Sequence, residues 1–424
     1  MLNLFVISLG CSKNQVDTEN MLGKLLPAGF VLIDNPNSAD LLLVNTCAFI
    51  EPAREEAIDT ILELVNIKSE NQKLVVTGCL PQRYRSELEK EIPEVDLWLD
   101  ISSEQNIIEN IFPWFNNNLN SHFKHTDVRL TPEHYAYLRV ADGCNHLCSF
   151  CAIPAIRGAY KSLPPDEILL YAEKLAEQNV KEINLIAQDT SSYGKDINTN
   201  LVQLLNSLCK IKNIKWIRLQ YLYPATVNDE LINLIAAEEK ICSYFDIPLQ
   251  HISDKILESM KRPNKKFTVN LLNKIKSKIP DAIIRTSMIV GYPNETDDEF
   301  NELFDFISEF KFNRLGVFKY SREQGTAAFD LGDPVPPDVK QKRFDLIMQQ
   351  QQQISRSINN NFIGKSIDVI IDSINKNIAI ARTMFDAPEV DGNVFIENAP
   401  ALTPGDIVKT QICRADEYDL YAKI

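Results

Sequence analysis

Long apolar runs are missing from this chain. None approaches the roughly 20 residues that a membrane span requires, so no transmembrane segment is expected. Positive charge is also short: 44 Lys and Arg stand against 58 Asp and Glu, a formal net charge of −14. That balance argues against a protein that grips nucleic acid by bulk positive potential, and direct nucleic-acid binding is not expected to dominate. Cysteine is sparse for a secreted scaffold, nine in 424 residues and an odd number. A reducing compartment that leaves thiols free for metal fits better, and the cytoplasm is the expected setting. The opening residues, Met1 to Gly10, carry no basic leader and run straight into a strand-like pattern, so no signal peptide is expected. No repeat of solenoid period is visible. What remains is a globular composition, 45% hydrophobic and 24% charged, over a length that calls for two or three domains.

Hydrophobic periodicity divides the chain. Apolar runs at Leu4–Leu9, Leu41–Thr46 and Leu74–Thr77 alternate with helical spacing over Val16–Leu26, Pro52–Val65 and Gln82–Lys90. This βαβαβ rhythm predicts a small parallel α/β sheet domain over residues 1–116. A polar linker follows over 117–131. Residues 132–360 then offer candidate strands at Tyr135–Val140, Glu182–Ala187, Trp216–Gln220, Tyr244–Ile247, Ile283–Val290 and Arg314–Phe318. Helices are expected between them, notably over Asp166–Gln178, Leu201–Ile211, Phe267–Ile279 and Asp297–Phe310. Six βα units predict a TIM-like, partial (β/α)6 barrel with function at the C-terminal ends of its strands. Pro337–Asn361 reads as one helix, with the Gln349–Gln353 run on its solvated face. The last 64 residues, 361–424, are short β segments broken by Gly, Pro, Asn and Asp, and predict a five-stranded OB-like β-barrel.

The strongest chemical signal is Cys144-Asn-His-Leu-Cys148-Ser-Phe-Cys151, directly after the strand at Tyr135–Val140. Three thiolates within eight residues can meet one metal centre if the loop wraps around it. A zinc knuckle wants four closed ligands, and His146, between two of the cysteines, reaches the same ion awkwardly. Three thiolates without a fourth suit a cubane iron–sulfur cluster with one open iron. Ordinary buried thiols are the remaining reading.

A second pattern is spread along the first hundred residues. Cys11, Cys47 and Cys79 lie 36 and 32 residues apart, each just past a strand end. Neighbouring parallel strands are about 4.8 Å apart, so their C-terminal loops can bring three thiols to one point, and a second three-thiolate cluster is the reading. Cys209, Cys242 and Cys413 show no partnered spacing and are expected to be small buried hydrophobes.

The C-x3-C-x2-C loop with Phe150 before its last cysteine, at the start of a (β/α)-type domain, resembles the radical S-adenosylmethionine superfamily. The resemblance implies a [4Fe-4S] cluster on Cys144, Cys148 and Cys151. Its open iron would chelate S-adenosylmethionine, and one-electron reduction would cleave the sulfonium to a 5′-deoxyadenosyl radical. Two three-cysteine sets followed by a terminal β-barrel resemble the methylthiotransferase family within it. The similarity spans an N-terminal methylthiotransferase domain, a radical core and a C-terminal TRAM domain. Leu9-Gly-Cys11-Ser-Lys-Asn-Gln-Val-Asp-Thr-Glu19 and Val44-Asn-Thr-Cys47-Ala-Phe-Ile-Glu-Pro-Ala are close to that family's N-terminal signatures. The family implies two [4Fe-4S] clusters per chain, S-adenosylmethionine as radical source and methyl donor, and an electron donor such as flavodoxin or ferredoxin. Sulfur and then methyl would be inserted at an unactivated C–H bond.

One branch of the family modifies a tRNA adenosine, the other the β-carbon of an aspartate in small-subunit ribosomal protein twelve. Asp142-Gly-Cys144-Asn-His-Leu-Cys148, Gln188-Asp-Thr-Ser-Ser-Tyr-Gly194 and Ala387-Pro-Glu-Val-Asp-Gly392 resemble the ribosomal-protein branch. A non-catalytic metal-binding module is the alternative from another class. Six basic against ten acidic residues from Asn361 onward leave the terminal barrel acidic, which suits a basic protein partner better than RNA. Asp386, Glu389 and Asp391 are expected in an exposed turn that meets this partner.

Polar groups also fall where a cofactor would lie, past the expected strand ends. Gln188 and Asp189, Gln250 and His251, and the turn at Gly291 are such positions. Arg285 is expected to pair the cofactor's carboxylate. The cofactor-binding candidates are therefore Phe150, Gln188, Asp189, Gln250, Arg285 and Gly291. His251 has no visible acid partner and reads as a packing residue. No catalytic residue beyond the cluster ligands is assigned.

Overall fold

The computed structural model describes residues 1–115, 119–120, 124–397, 399 and 401–424. The linker expected over 117–131 falls partly outside these described residues. The chain forms two compact units. Unit 1 is Met1–Leu130 with Cys151–Ala159, and unit 2 is Thr131–Phe150 with Tyr160–Ile424.

Unit 1 is built on a parallel sheet. Its strands are β1 (Leu2–Ser8), β2 (Phe30–Leu32), β3 (Leu41–Thr46), β4 (Lys73–Gly78) and β5 (Leu97–Trp98), in the order β2-β1-β3-β4-β5. Alternation along the strands serves two cores at once. Leu42, Val44, Leu74 and Val76 enter one, and Leu41, Leu43 and Val75 the other. A parallel sheet buried on both faces reads as continuous apolar runs, which is why β1, β3 and β4 stand out in the sequence. The two outer strands do not. β2 is three residues long with Val31 and Leu32 exposed, and β5 has two residues. The helices Ser12–Leu25, Glu51–Ile67, Cys79–Glu91 and Ile107–Phe115 cover the sheet, the last of them unforeseen.

Unit 2 holds the longer α/β series. Its strands are β6 (Tyr135–Arg139), β7 (Ala141–Asp142), β8 (Lys161–Ser162), β9 (Glu182–Ile186), β10 (Trp216–Leu219), β11 (Tyr244–Asp246), β12 (Ile283–Val290) and β13 (Arg314–Lys319). Strands β6, β9 and β10 form one parallel sheet and β11, β12 and β13 another. A parallel bridge between Ile217 and Ile241 joins the two. The six strands make the expected partial barrel around one apolar core. The helix Pro337–Asn360 packs on it, and Gln351 corrects the solvated-face expectation. It is buried and donates to the Phe312 carbonyl at 2.9 Å.

The C-terminal strands β14 (Ser366–Asn375), β15 (Ile378–Thr383), β16 (Val394–Glu397), β17 (Ile407–Ala415) and β18 (Leu420–Lys423) close a barrel in the order β14-β15-β16-β18-β17. The loop after β15 overturns the expected exposed acidic turn for its two aspartates, while Glu389 is exposed as expected. Asp386 and Asp391 are buried. Asp386 pairs with Arg314 Nη2 at 2.5 Å, and Glu389 accepts from the hydroxyls of Tyr135 and Tyr137 at 2.7 and 3.2 Å. Six side chains at or near the N-terminal ends of the barrel strands (Tyr135, Glu182, Arg218, Tyr244, Arg285 and Arg314) carry the polar groups that meet this loop and its neighbour Arg382. The acidic residues are there because buried cations demand them.

Candidate functional site

The three cysteines of unit 1 arise from the sheet register. Ser8 pairs with Asn45, Asn45 with Thr77, and Thr46 with Gly78, so β1, β3 and β4 end level with one another. Cys11, Cys47 and Cys79 follow those ends within three residues. Two glycines shape the nest. Gly10 has φ +95°, and a Cβ there would stand 2.7 Å from Cys47 Cβ and 3.2 Å from its Sγ. Gly78 has φ +97°, and a Cβ would meet Asn45 Oδ1 at 2.3 Å. Only glycine permits either approach.

Asn14 sits among the thiols. Its Nδ2 donates to the carbonyls of Leu9 and Thr46 at 3.1 and 2.9 Å, which fixes the amide and aims Oδ1 at the sulfurs. The oxygen lies 3.7 Å from Cys79 Sγ and 4.0 Å from Cys11 Sγ. Burial pushes the Cys79 thiol up to about 12, only partly offset by Arg157, and burial also raises Cys47. The neighbouring sulfurs add to that rise, Cys11 acting on Cys47 and both acting on Cys79.

In unit 2 the loop past β7 carries Cys144 and Cys148, with Phe150 half-buried against the cluster of Ile256, Met260 and Tyr292. Cys151 belongs to the segment Cys151–Ala159 of unit 1. His146 organises the loop. Its backbone N–H donates to Cys144 Sγ at 3.4 Å, and its ring stacks on Tyr223 with centroids 3.6 Å apart and planes 11° from parallel. On Tyr223 also lies the Arg262 guanidinium, 4.3 Å from the centroid. Arg262 Nη1 reaches Cys148 Sγ at 3.6 Å.

The expected cofactor residues divide in two. Gln188 Nε2 donates to Asp142 Oδ1 at 2.6 Å, and its buried Oε1 has no partner. Gln250 lies at φ +75°, with its N–H on the Ser287 carbonyl and its own carbonyl accepting from Ile289, so its backbone pairs alongside β12 at Met288. Asp189 is spent internally. His146 meets its Oδ2 at 2.7 Å, and Ser191 and Ser192 donate to it at 2.6 and 2.5 Å. Burial would raise this carboxyl, but those hydrogen bonds outweigh it and hold the pKa below the usual range.

Arg285 requires a correction. It lies near the start of β12, away from the strand ends that carry the cysteine loop, and pairs with Asp246 at 3.1 Å and Asp391 at 3.6 Å. Its charge is consumed in the fold. Gly291 has φ +72°, but its N–H is taken by Glu295 at 3.0 Å and a Cβ would strike Lys340 at 2.3 Å. Its glycine character therefore serves packing. His251 is buried, with Nδ1 accepting from the Ser253 amide at 3.0 Å, but it does have an acid partner: Nε2 stands 3.5 Å from Glu295 Oε2. Cys242 is buried as expected, whereas Cys413 is exposed and its thiol donates to the Tyr421 carbonyl at 3.2 Å. Asn14, Arg157, Tyr223 and Arg262 escaped the sequence reading. Asn14 could have been found, because it stands three residues after the N-cap Cys11, in the first turn of the helix.

Comparison with known proteins agrees with this architecture. Residues 3–100 match the model of uncharacterized protein family UPF0004, residues 138–307 the radical SAM superfamily, and residues 363–424 the TRAM domain. Among solved structures, the radical S-adenosylmethionine methyltransferase TsrM from Kitasatospora setae superposes with a TM-score of 0.56 over 77% of this chain and 76% of its own, at 14% identity. The cobalamin-dependent radical enzyme OxsB gives 0.53 over 84% and 58%, at 13% identity. These two share the fold. The chain is a radical S-adenosylmethionine enzyme.

Relatives fix the family. Ribosomal protein uS12 methylthiotransferase RimO of Aquifex aeolicus is 46% identical over 99% of this chain and 96% of its own length. Those of Thermodesulfovibrio yellowstonii and Alkaliphilus oremlandii are 44% and 43% identical, covering 99% and 100% of this chain and 99% of each relative. The chain belongs to the RimO family of methylthiotransferases. Among the described residues no helix is long and apolar enough to cross a membrane.

Proposed function

We propose that this enzyme replaces a hydrogen on the β-carbon of an aspartate in ribosomal protein uS12 with a methylthio group, in the cytoplasm. The observation that carries the reading is the near-full-length similarity, at 42–46% identity, to relatives named for that reaction. Cys144, Cys148 and Cys151 are assigned to the radical cluster. When bound, that cluster and S-adenosylmethionine supply the one-electron cleavage that opens an unactivated C–H bond. Gln188 Oε1 is assigned to hold a donor of the nucleoside, and Phe150 to wall the loop. Arg262 orients Cys148, and the His146–Tyr223 stack keeps the loop in one conformation.

Cys11, Cys47 and Cys79 are assigned to a second [4Fe-4S] cluster that carries the sulfur. The donor set fits: three thiols just past the level ends of neighbouring strands, one buried and two half-buried. Among the described residues no three His, Cys, Asp or Glu side chains close in tightly enough for a single ion. A cubane spreads its iron atoms and so tolerates wider-set ligands than mononuclear zinc. A small reductant of the flavodoxin or ferredoxin class is assigned as electron donor.

Anaerobic purification should return about eight irons per chain. Cys148→Ala should abolish 5′-deoxyadenosine formation. Cys47→Ala should keep that cleavage and stop methylthiolation of uS12, read by peptide mass. Full methylthiolation by Cys47→Ala would remove the second-cluster assignment, and modification of tRNA in place of uS12 would overturn the substrate.

A further inference from the structure

The unit 1 nest contains a cation that the cysteine pattern does not announce. Arg157 closes the short helix Ile153–Arg157, whose start is set by Pro154 and whose end turns on Gly158 at φ +74°. Ala152 and Ile156 lock that helix into the same apolar core that holds Cys79 and Leu80. The arginine is thereby delivered into the nest with its side chain 2% exposed. Nη1 donates to Asp17 Oδ2 at 2.6 Å, while Nη2 donates to Asn14 Oδ1 at 2.7 Å and stands 3.8 Å from Cys79 Sγ.

These contacts form a chain of constraint. The carbonyls of Leu9 and Thr46 fix the Asn14 amide, Asn14 and Asp17 fix the two prongs of the guanidinium, and the second prong is left facing sulfur. A bare hydrophobic wall would pack this space without the desolvation cost of a buried ion pair. A planar, permanently charged fork is needed only if both anchors and the sulfur must be served together.

We propose that Arg157 is a positioning residue of the sulfur-carrying site: it holds Cys79 and Asn14 in place and sets a positive charge against the Cys79 sulfur. The proposal rests on the assignment of Cys11, Cys47 and Cys79 to a second cluster. A positive charge beside a ligating thiolate stabilises an added electron, which favours the reduced cluster, and an arginine anchored on Asp17 and Asn14 holds Cys79 in place, which slows loss of iron. Arg157 touches neither substrate nor S-adenosylmethionine in this role.

The test uses the full chain with Cys144, Cys148 and Cys151 all changed to Ala, so that iron can reside only in the unit 1 nest. Into this parent are placed Arg157→Gln and Arg157→Lys. Two quantities are read: the rate of iron loss to a chelator, and the midpoint potential from EPR-monitored titration. Arg157→Gln is expected to lose iron about 10-fold faster or more and to titrate at a more negative potential. Arg157→Lys, which keeps the charge and loses the fork, is expected to recover the potential more fully than the retention. Unchanged retention and potential in Arg157→Gln, with only a lower melting temperature of the iron-free chain, would overturn the proposal and leave Arg157 a structural buttress. If Arg157→Gln does not fold, Asp17→Asn, which frees one prong and leaves the charge, is read in its place and must speed iron loss. A parent without iron removes the second-cluster assignment and the proposal with it. That failure shows in the parent, whereas failure of the proposal alone shows only in the variants.

Discussion

The Tyr244 hydroxyl, at the first residue of β11, donates to Asp391 Oδ2 in the terminal barrel at 2.6 Å. The same oxygen accepts from the Ala387 amide at 2.9 Å, so one buried carboxylate both closes its own loop and ties it to the neighbouring sheet. Burial pushes this carboxyl up, against the pull of Arg314 and Arg285.

Removing that carboxylate leaves a buried hydroxyl and part of the half-buried Arg285 guanidinium without their acceptor. Asp391→Ala is expected to lose about 3 kcal/mol of stability, visible as an earlier unfolding midpoint in urea. Among molecules that remain folded, affinity for uS12 should be unchanged. A variant that melts like the wild type but binds uS12 poorly would restore the idea of an exposed acidic docking turn.

A second expectation concerns pH. Burial alone would raise the Asp372 carboxyl, but His134 at 2.7 Å and Arg382 at 2.7 and 3.0 Å outweigh it and hold its pKa below the ordinary 3.8. A carboxyl depressed in the folded state adds stability that is fully present above its unfolded pKa and is lost as pH falls through the folded one. The gap in unfolding free energy between wild type and Asp372→Asn should therefore hold steady down to about pH 5 and close below about pH 4. Closure between pH 8 and 6 would trace to an imidazole instead.

Gly10 offers a direct check on the unit 1 nest. Alanine there adds a carbon 2.7 Å from Cys47 Cβ at a φ of +95°. The strain should cost about 1–3 kcal/mol and displace the loop that carries Cys11. Anaerobically reconstituted Gly10→Ala is expected to hold only the radical cluster, near half the wild-type iron, while 5′-deoxyadenosine formation continues. A full complement of iron would mean that the close approach of Gly10 to Cys47 is incidental.

Gln188→Leu keeps volume and removes both the link to Asp142 and the open Oε1 acceptor. A lost hydrogen bond of about 1.4 kcal/mol corresponds to about tenfold weaker S-adenosylmethionine binding, measurable by equilibrium dialysis on the reconstituted enzyme. Unchanged affinity would return Gln188 to a purely internal role.

Much of the fold was legible because the central strands are buried on both faces and therefore announce themselves as apolar runs. Strand β12 and the helix Asp297–Phe310 begin and end where periodicity puts them. Edge strands such as β2 need little burial and carry little signal. The cysteine sets were legible because three thiols at equal topological positions are hard to place by packing. Arg285, by contrast, was misread. An arginine on a strand bordering a cofactor domain invites a ligand, and nothing local tells that Asp391, over a hundred residues on, claims it. Arg157 and Arg262 were silent for the same reason: each meets its sulfur across more than 70 positions of chain.

The loop over residues 384–391 also limits how this protein can be taken apart. Arg314 takes Asp386 from it, Arg285 takes Asp391, and Arg218 takes the Met384 carbonyl at 2.9 Å. A chain cut after Asn361 would strip acceptors from three guanidinium groups at once, that of Arg218 buried and those of Arg285 and Arg314 part-buried. Chimeras between relatives would succeed only where the donor of the last barrel brings carboxylates at these same positions. The terminal barrel is thus not interchangeable cargo but a counter-ion set for the sheet that precedes it.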